Sequence, residues 1–125
     1  MSFVAGETFL YPLGGEQTPH LWIVATTPGY DGLFAIVSLT SLKGSKDQTV
    51  ILRSGEHPFI RWDTCVAYAL ADLTSTEQLQ DFLNRGLAEL RGPLRRDLLE
   101  LVVAGFSASP FTKRRINDFV RTARR

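Results

Sequence analysis

Two histidines and one pair of adjacent hydroxyls carry the chemistry that this chain's residue types suggest. His20 opens the apolar run His20-Leu21-Trp22-Ile23-Val24-Ala25, and Thr40-Ser41 follows the run Leu33-Phe34-Ala35-Ile36-Val37-Ser38-Leu39. Pro28-Gly29-Tyr30-Asp31-Gly32 between them are turn residues, so the two runs read as a β-hairpin. A hairpin sets the start of one strand beside the end of the next, here His20 beside Thr40 and Ser41. An imidazole exchanges protons near neutral pH, and hydroxyls or the amides beneath them donate hydrogen bonds to a phosphate. Neighbouring strand residues face opposite sides, so only one of Thr40 and Ser41 is expected in a given pocket unless the chain turns there. The plainer reading is a strand-end histidine bonded to a loop and hydroxyls engaged in turn chemistry.

His57 is the second histidine, in Gly55-Glu56-His57-Pro58-Phe59-Ile60. A residue before proline is held out of the helical region, so this is a constrained loop. Paired with His20, it would supply the acid and base that RNA cleavage through a 2′-hydroxyl needs. Its plainer reading is a loop histidine packed by Phe59. Arg53 and Arg61-Trp62-Asp63 flank the loop. Arginine beside an aromatic holds a phosphate and stacks a base, or forms a surface ion pair beside a half-buried indole. Trp22, inside an apolar strand, reads as core, and Cys65 as a small hydrophobe.

Other chemistries lack local support. There is no phosphate-binding Gly-x-x-x-x-Gly-Lys loop, no Gly-x-Ser-x-Gly elbow and no His-Glu-x-x-His pair. One cysteine and two histidines make a structural zinc site an unfavoured expectation, and no cofactor is implied. The lone Cys65 fits a reducing compartment. No apolar run approaches the ~18 residues of a membrane span, and Met1–Glu7 lacks a basic start and apolar core. The expectation is a cytoplasmic protein with no membrane partner.

The elements that must position these groups follow from pattern. With 125 residues the chain suits one domain, 1–125. Short strands are expected at 8–11, 20–26, 33–39, 49–52 and 65–70, separated by Gly- and Pro-bearing turns, including the polar loop Gly14–Pro19. Five short strands at such spacing suggest a small barrel over residues 1–72. The pattern changes at Asp72. Thr74-Ser75-Thr76-Glu77 resembles a capping box with Thr74 at the cap and Glu77 at its third position. Helices are expected from there to Gly86, from about 93 to 107 with Leu94, Leu98, Leu101, Val102 and Gly105 on one face, and from Lys113 to Arg124 with Ile116, Phe119 and Val120 inward. The fold class is therefore α+β, a barrel part (1–72) with a helical part (73–125) appended. Residues 111–125 carry six basic side chains against Asp118, a formal +5, so the first 110 residues carry −4 of the net +1. A basic end, with Arg114 and Arg115 on its last helix, suits a polyanion, an acidic partner, or simply water.

This order of parts resembles the PemK/MazF family of small toxin ribonucleases over roughly residues 4–107. Gly6-Glu7-Thr8-Phe9 is similar to the family's opening Gly-Asp strand, Gly14-Gly15-Glu16-Gln17 to its first long loop, and Val37-Ser38-Leu39-Thr40-Ser41 to its apolar strand ending in Pro-x-Thr-Ser. Thr64 before an apolar segment and a C-terminal amphipathic helix have counterparts too. The resemblance implies an SH3-like barrel, a homodimer, metal-independent cleavage of single-stranded RNA, and an antitoxin protein that binds across the same groove. It makes Thr40 the catalytic hydroxyl, with Ser41 beside it. The family's arginine has no match, because His20 stands at its position. Either His20 takes over its proton transfer, or the chain is a repurposed relative. Two alternatives remain open: a non-catalytic barrel binding protein or nucleic acid through the basic C-terminal helix, and a structural subunit with no site.

Overall fold

A computed structural model describes residues 2–12 and 18–123. Most of the expected Gly14–Pro19 loop, the segment resembling the family's first loop, and Arg124 and Arg125 lie outside the described residues. Among the described residues, six strands form one antiparallel sheet: β1 (Glu7–Pro12), β2 (Pro19–Val24), β3 (Leu33–Ser41), β4 (Ile51–Leu52), β5 (Thr64–Ser75) and β6 (Glu89–Pro93), in the order β4-β5-β3-β2-β1-β6. Three helices among the described residues complete the α+β fold: α1 (Thr76–Asn84), α2 (Arg96–Ala108) and α3 (Arg114–Thr122). None is long and apolar enough to cross a membrane.

The sheet is covered on both faces, which explains why β2 and β3 read as unbroken apolar runs rather than alternating ones. Leu21, Ile23 and Ala25 join Val37, Val66 and Tyr68 beneath α2 and α3. Trp22 and Val24 point the other way, into a second cluster with Phe3, Phe9, Phe34 and Leu79 of α1. Trp22 and Cys65 are buried, as their surroundings in sequence predict. On the α2 side the contact is close enough to dictate a residue. A Cβ on Gly105 would stand 1.8 Å from the Tyr68 hydroxyl, which donates to the Val102 carbonyl at 2.7 Å. Asp47, in the connection from β3 to β4, ties that connection to the end of α2 by accepting from Ser109 at 2.8 Å.

The sheet curls into a half-barrel. Ser38 pairs with Ala67, but Ile36 pairs with Asp72, so β5 runs through more residues than β3 over the same stretch. Such an irregularity bends a strand and increases its twist. β5 therefore continues to Ser75, past the break expected at Asp72. The cap of α1 shifts accordingly: Ser75, not Thr74, is the cap and accepts from the Gln78 amide at 3.1 Å, while the Thr74 hydroxyl meets the Gln78 side chain.

The last strand was not expected. Residues 89–93 pair with β1, so the stretch 73–125 contributes a strand to the sheet as well as helices, and α2 begins at Arg96 rather than near Pro93. Gly92 has φ +85° where the β1–β6 register shifts, a backbone state that suits glycine and weakens the strand signal. On α2 the buried stripe is Leu98, Val102, Val103, Gly105 and Phe106, while Leu101 points outward. On α3, Ile116 and Val120 are buried and Phe119 is half-buried, as expected.

Candidate functional site

The hairpin brings its chemistry together. Trp22 of β2 lies opposite Ser38 of β3, and two residues further along, at the open end, stand His20 and Thr40. On the other side of β3, Thr40 and Ser41 pair with Cys65 and Thr64 of β5. The open end forms a cleft of about 470 Å³ bordered by His20, Leu39, Thr40, Ser41, Thr64 and, from the β4–β5 loop, Phe59, Ile60, Arg61 and Trp62. Thr40 and Ser41 both border it because β3 ends there and the chain leaves the sheet. The expectation that only one would do so assumed a continuing strand.

His20 is half-buried, and its Nδ1 lies 3.3 Å from the Leu39 carbonyl oxygen. A carbonyl only accepts, so Nδ1 is the donor in this contact.

The loop that supplies Arg61 and Trp62 is fixed by its own hydrogen bonds. Arg53 N–H donates to Glu56 at 2.6 Å, Ser54 N–H to Asp63 at 3.0 Å, the Ser54 hydroxyl to the Arg61 carbonyl at 2.9 Å, and Gly55 N–H to the Ile60 carbonyl at 2.8 Å. The Ser54 amide and the Arg53 guanidinium together hold the Asp63 carboxyl below the usual carboxylate range. Arg53 is thus engaged with Asp63 at 3.0 Å and does not border the cleft. Arg61 and Trp62 are exposed, Trp62 to 62%.

His57 does not join His20. It is buried to 3% exposure outside the residues that border the cleft. Its Nδ1 accepts from the Phe59 amide at 3.1 Å, which makes Nε2 the donor toward Thr8 Oγ1 at 3.3 Å and the Gly92 carbonyl at 3.4 Å. These bonds carry the β4–β5 loop across to β1 and β6. The Glu56–Arg95 ion pair at 3.6 Å reinforces the crossing. The loop histidine packed beside Phe59 is therefore the reading that its environment favours.

Arg114 and Arg115 also lie apart from the cleft. Arg115 pairs with Asp72, opposite Ile36, and the end of α3 borders the Thr27–Asp31 turn and Leu33. Leu33 to Thr40 is seven residues of strand, about 23 Å at 3.3 Å each. Sequence reasoning did not single out Phe59 as a cleft residue, nor Arg91, whose guanidinium carbon lies 4.8 Å from the Phe59 ring centre. Arg91 sits on the unexpected strand β6, so only recognition of that strand would have suggested it. Among the described residues, no group of three or more His, Cys, Asp or Glu side chains could hold a metal ion. Comparison with protein-family profiles, with curated protein sequences and with solved structures found no match.

Proposed function

We propose that this chain is an SH3-like barrel of the PemK/MazF kind that binds single-stranded RNA in the cleft at the end of the β2–β3 hairpin and cleaves it. One observation supports the reading above others: His20, Thr40, Ser41, Arg61 and Trp62, each suited by type to RNA, border one cleft. In this scheme the His20 imidazole takes the proton of the ribose 2′-hydroxyl as its oxygen attacks the adjacent phosphorus. Arg61 and the Thr40 and Ser41 hydroxyls carry the charge that grows on the phosphate oxygens. The bond to the 5′-oxygen breaks, and that oxygen takes its proton from solvent at the open side of the cleft. The products are a 2′,3′-cyclic phosphate and a 5′-hydroxyl end. The same reading makes the active form a homodimer and its restraining partner an antitoxin protein.

A second reading keeps the binding and drops the cleavage. It is favoured by the position of His57, which lies outside the cleft and supplies no acid there. Incubation of the purified protein with single-stranded RNA in EDTA separates the two. The enzyme reading expects cyclic-phosphate ends, reduced ~10²-fold or more by His20→Ala with binding retained. RNA binding with no cleavage by either protein would leave the binding module. Neither binding nor cleavage would remove both.

A further inference from the structure

Large aromatic side chains are normally withdrawn from water, yet two stand at one rim of the cleft. Trp62 is 62% exposed and Phe59 38% exposed, and both belong to the hydrogen-bonded β4–β5 loop. Between them, Ile60 is buried and fixes the loop to the core, while Arg61 is exposed. Arg91 covers one face of the Phe59 ring. Its Nε is buried with no hydrogen-bond partner, and its terminal nitrogens are held by the Leu90 carbonyl and Glu89. A guanidinium over an aromatic ring is attracted by the ring's negative face, so Arg91 holds Phe59 in place rather than leaving it to collapse inward.

We propose that Trp62 and Phe59 are two stacking platforms for successive unpaired bases, with Arg61 between them on the linking phosphate and Arg91 as the residue that positions Phe59. This deepens the RNA-binding reading and rests on it. Three residues of chain span at most about 10 Å, so both rings can engage one strand. Stacking accepts any base but needs an exposed ring face on the base, which a duplex withholds. The cleft therefore selects single strands by stacking rather than by reading base edges. An apolar protein partner would use the same rings, but an exposed arginine between them favours a polyanion.

Tryptophan fluorescence reads the platform directly. Trp22 is buried, so iodide reaches Trp62 in preference. Titration with a four-nucleotide RNA is expected to quench Trp62 and protect it from iodide. An abasic tetramer of the same backbone and a blunt RNA duplex are expected to bind at least ~10-fold more weakly. By titration calorimetry, which does not depend on the Trp62 signal, Phe59→Leu and Trp62→Ala should each weaken the tetramer by a similar factor while sparing the melting temperature, and Arg91→Gln should weaken it less. Equal affinity for abasic and base-bearing tetramers, or full affinity in Phe59→Leu with Trp62→Ala, would overturn the platform. Cleavage sensitive to His20→Ala would then still stand. Absence of any RNA binding would overturn the platform and the proposed function together. Quenching by polyglutamate as strong as by RNA would assign the rings to a protein partner and overturn the platform as stated.

Discussion

The Nε2 atom of His57 and the carbonyl oxygen of Gly92 lie 3.4 Å apart, joining the loop after the β4 edge of the sheet to the β6 edge. The Thr8 hydroxyl donates to the same carbonyl at 2.5 Å. With the Glu56–Arg95 ion pair, these contacts span the gap that the half-barrel leaves open. They also anchor the loop that carries Arg61 and Trp62 to the cleft.

This relationship gives His57 a structural role. His57→Ala removes a buried ring, orphans the Phe59 amide and leaves a cavity, at a cost of about 2–4 kcal/mol. The melting temperature is expected to fall by roughly 10 °C. His20→Ala, at a half-buried strand end, should barely change it. Thermal denaturation of the two variants side by side checks this, and an unchanged melting temperature in His57→Ala would refute the closing role.

Tyr68 gives the fold an alkaline limit. Burial, and then the negative charge of Asp47, push its hydroxyl well above the ordinary tyrosine range. Its neutral form is therefore favoured in the folded state, and the contribution is complete below the unfolded pKa near ~10. As pH rises above that value the unfolded chain ionises first, so stability falls until the folded group ionises too. Urea titrations from pH 9 to 11.5 should show this fall, with a shallower slope in Tyr68→Phe. Gly105→Ala, which drives a methyl into the same ring, should cost about 3 kcal/mol or more at neutral pH. Tyr68→Leu in the same chain should recover part of that loss, because the two residues share one space.

Charge near the cleft and charge on α3 should separate cleanly. Arg61→Gln is expected to weaken binding of a four-nucleotide RNA and lower its salt slope by ~1. Arg114→Gln with Arg121→Gln should leave both within about twofold, since α3 borders the other end of β3. Binding measured from 50 to 300 mM salt decides it. A larger effect from the α3 pair would place the RNA on the basic helix instead.

The sequence by itself determined the β2–β3 hairpin and hence the meeting of His20 with Thr40 and Ser41. That pairing depends on a local turn and two apolar runs, and local signals are legible in one chain. It also determined the α+β class and the inward faces of Ile116 and Val120, from helical spacing. Tertiary structure alone decided the rest. β6 carries Gly92 and Pro93, residues that argue against a strand until β1 supplies its partner. His57 looked available for chemistry because nothing nearby in sequence shows that Thr8 and Gly92 will enclose it. Arg61 and Trp62 reach the cleft, and Arg114 and Arg115 do not, because the curl of the sheet swings the β4–β5 loop over one end of β3 while α3 packs toward the other. Long-range burial sets those positions, and its driving force is non-directional surface removed from water, so the spacing of residues shows which faces turn inward but not which distant segments meet.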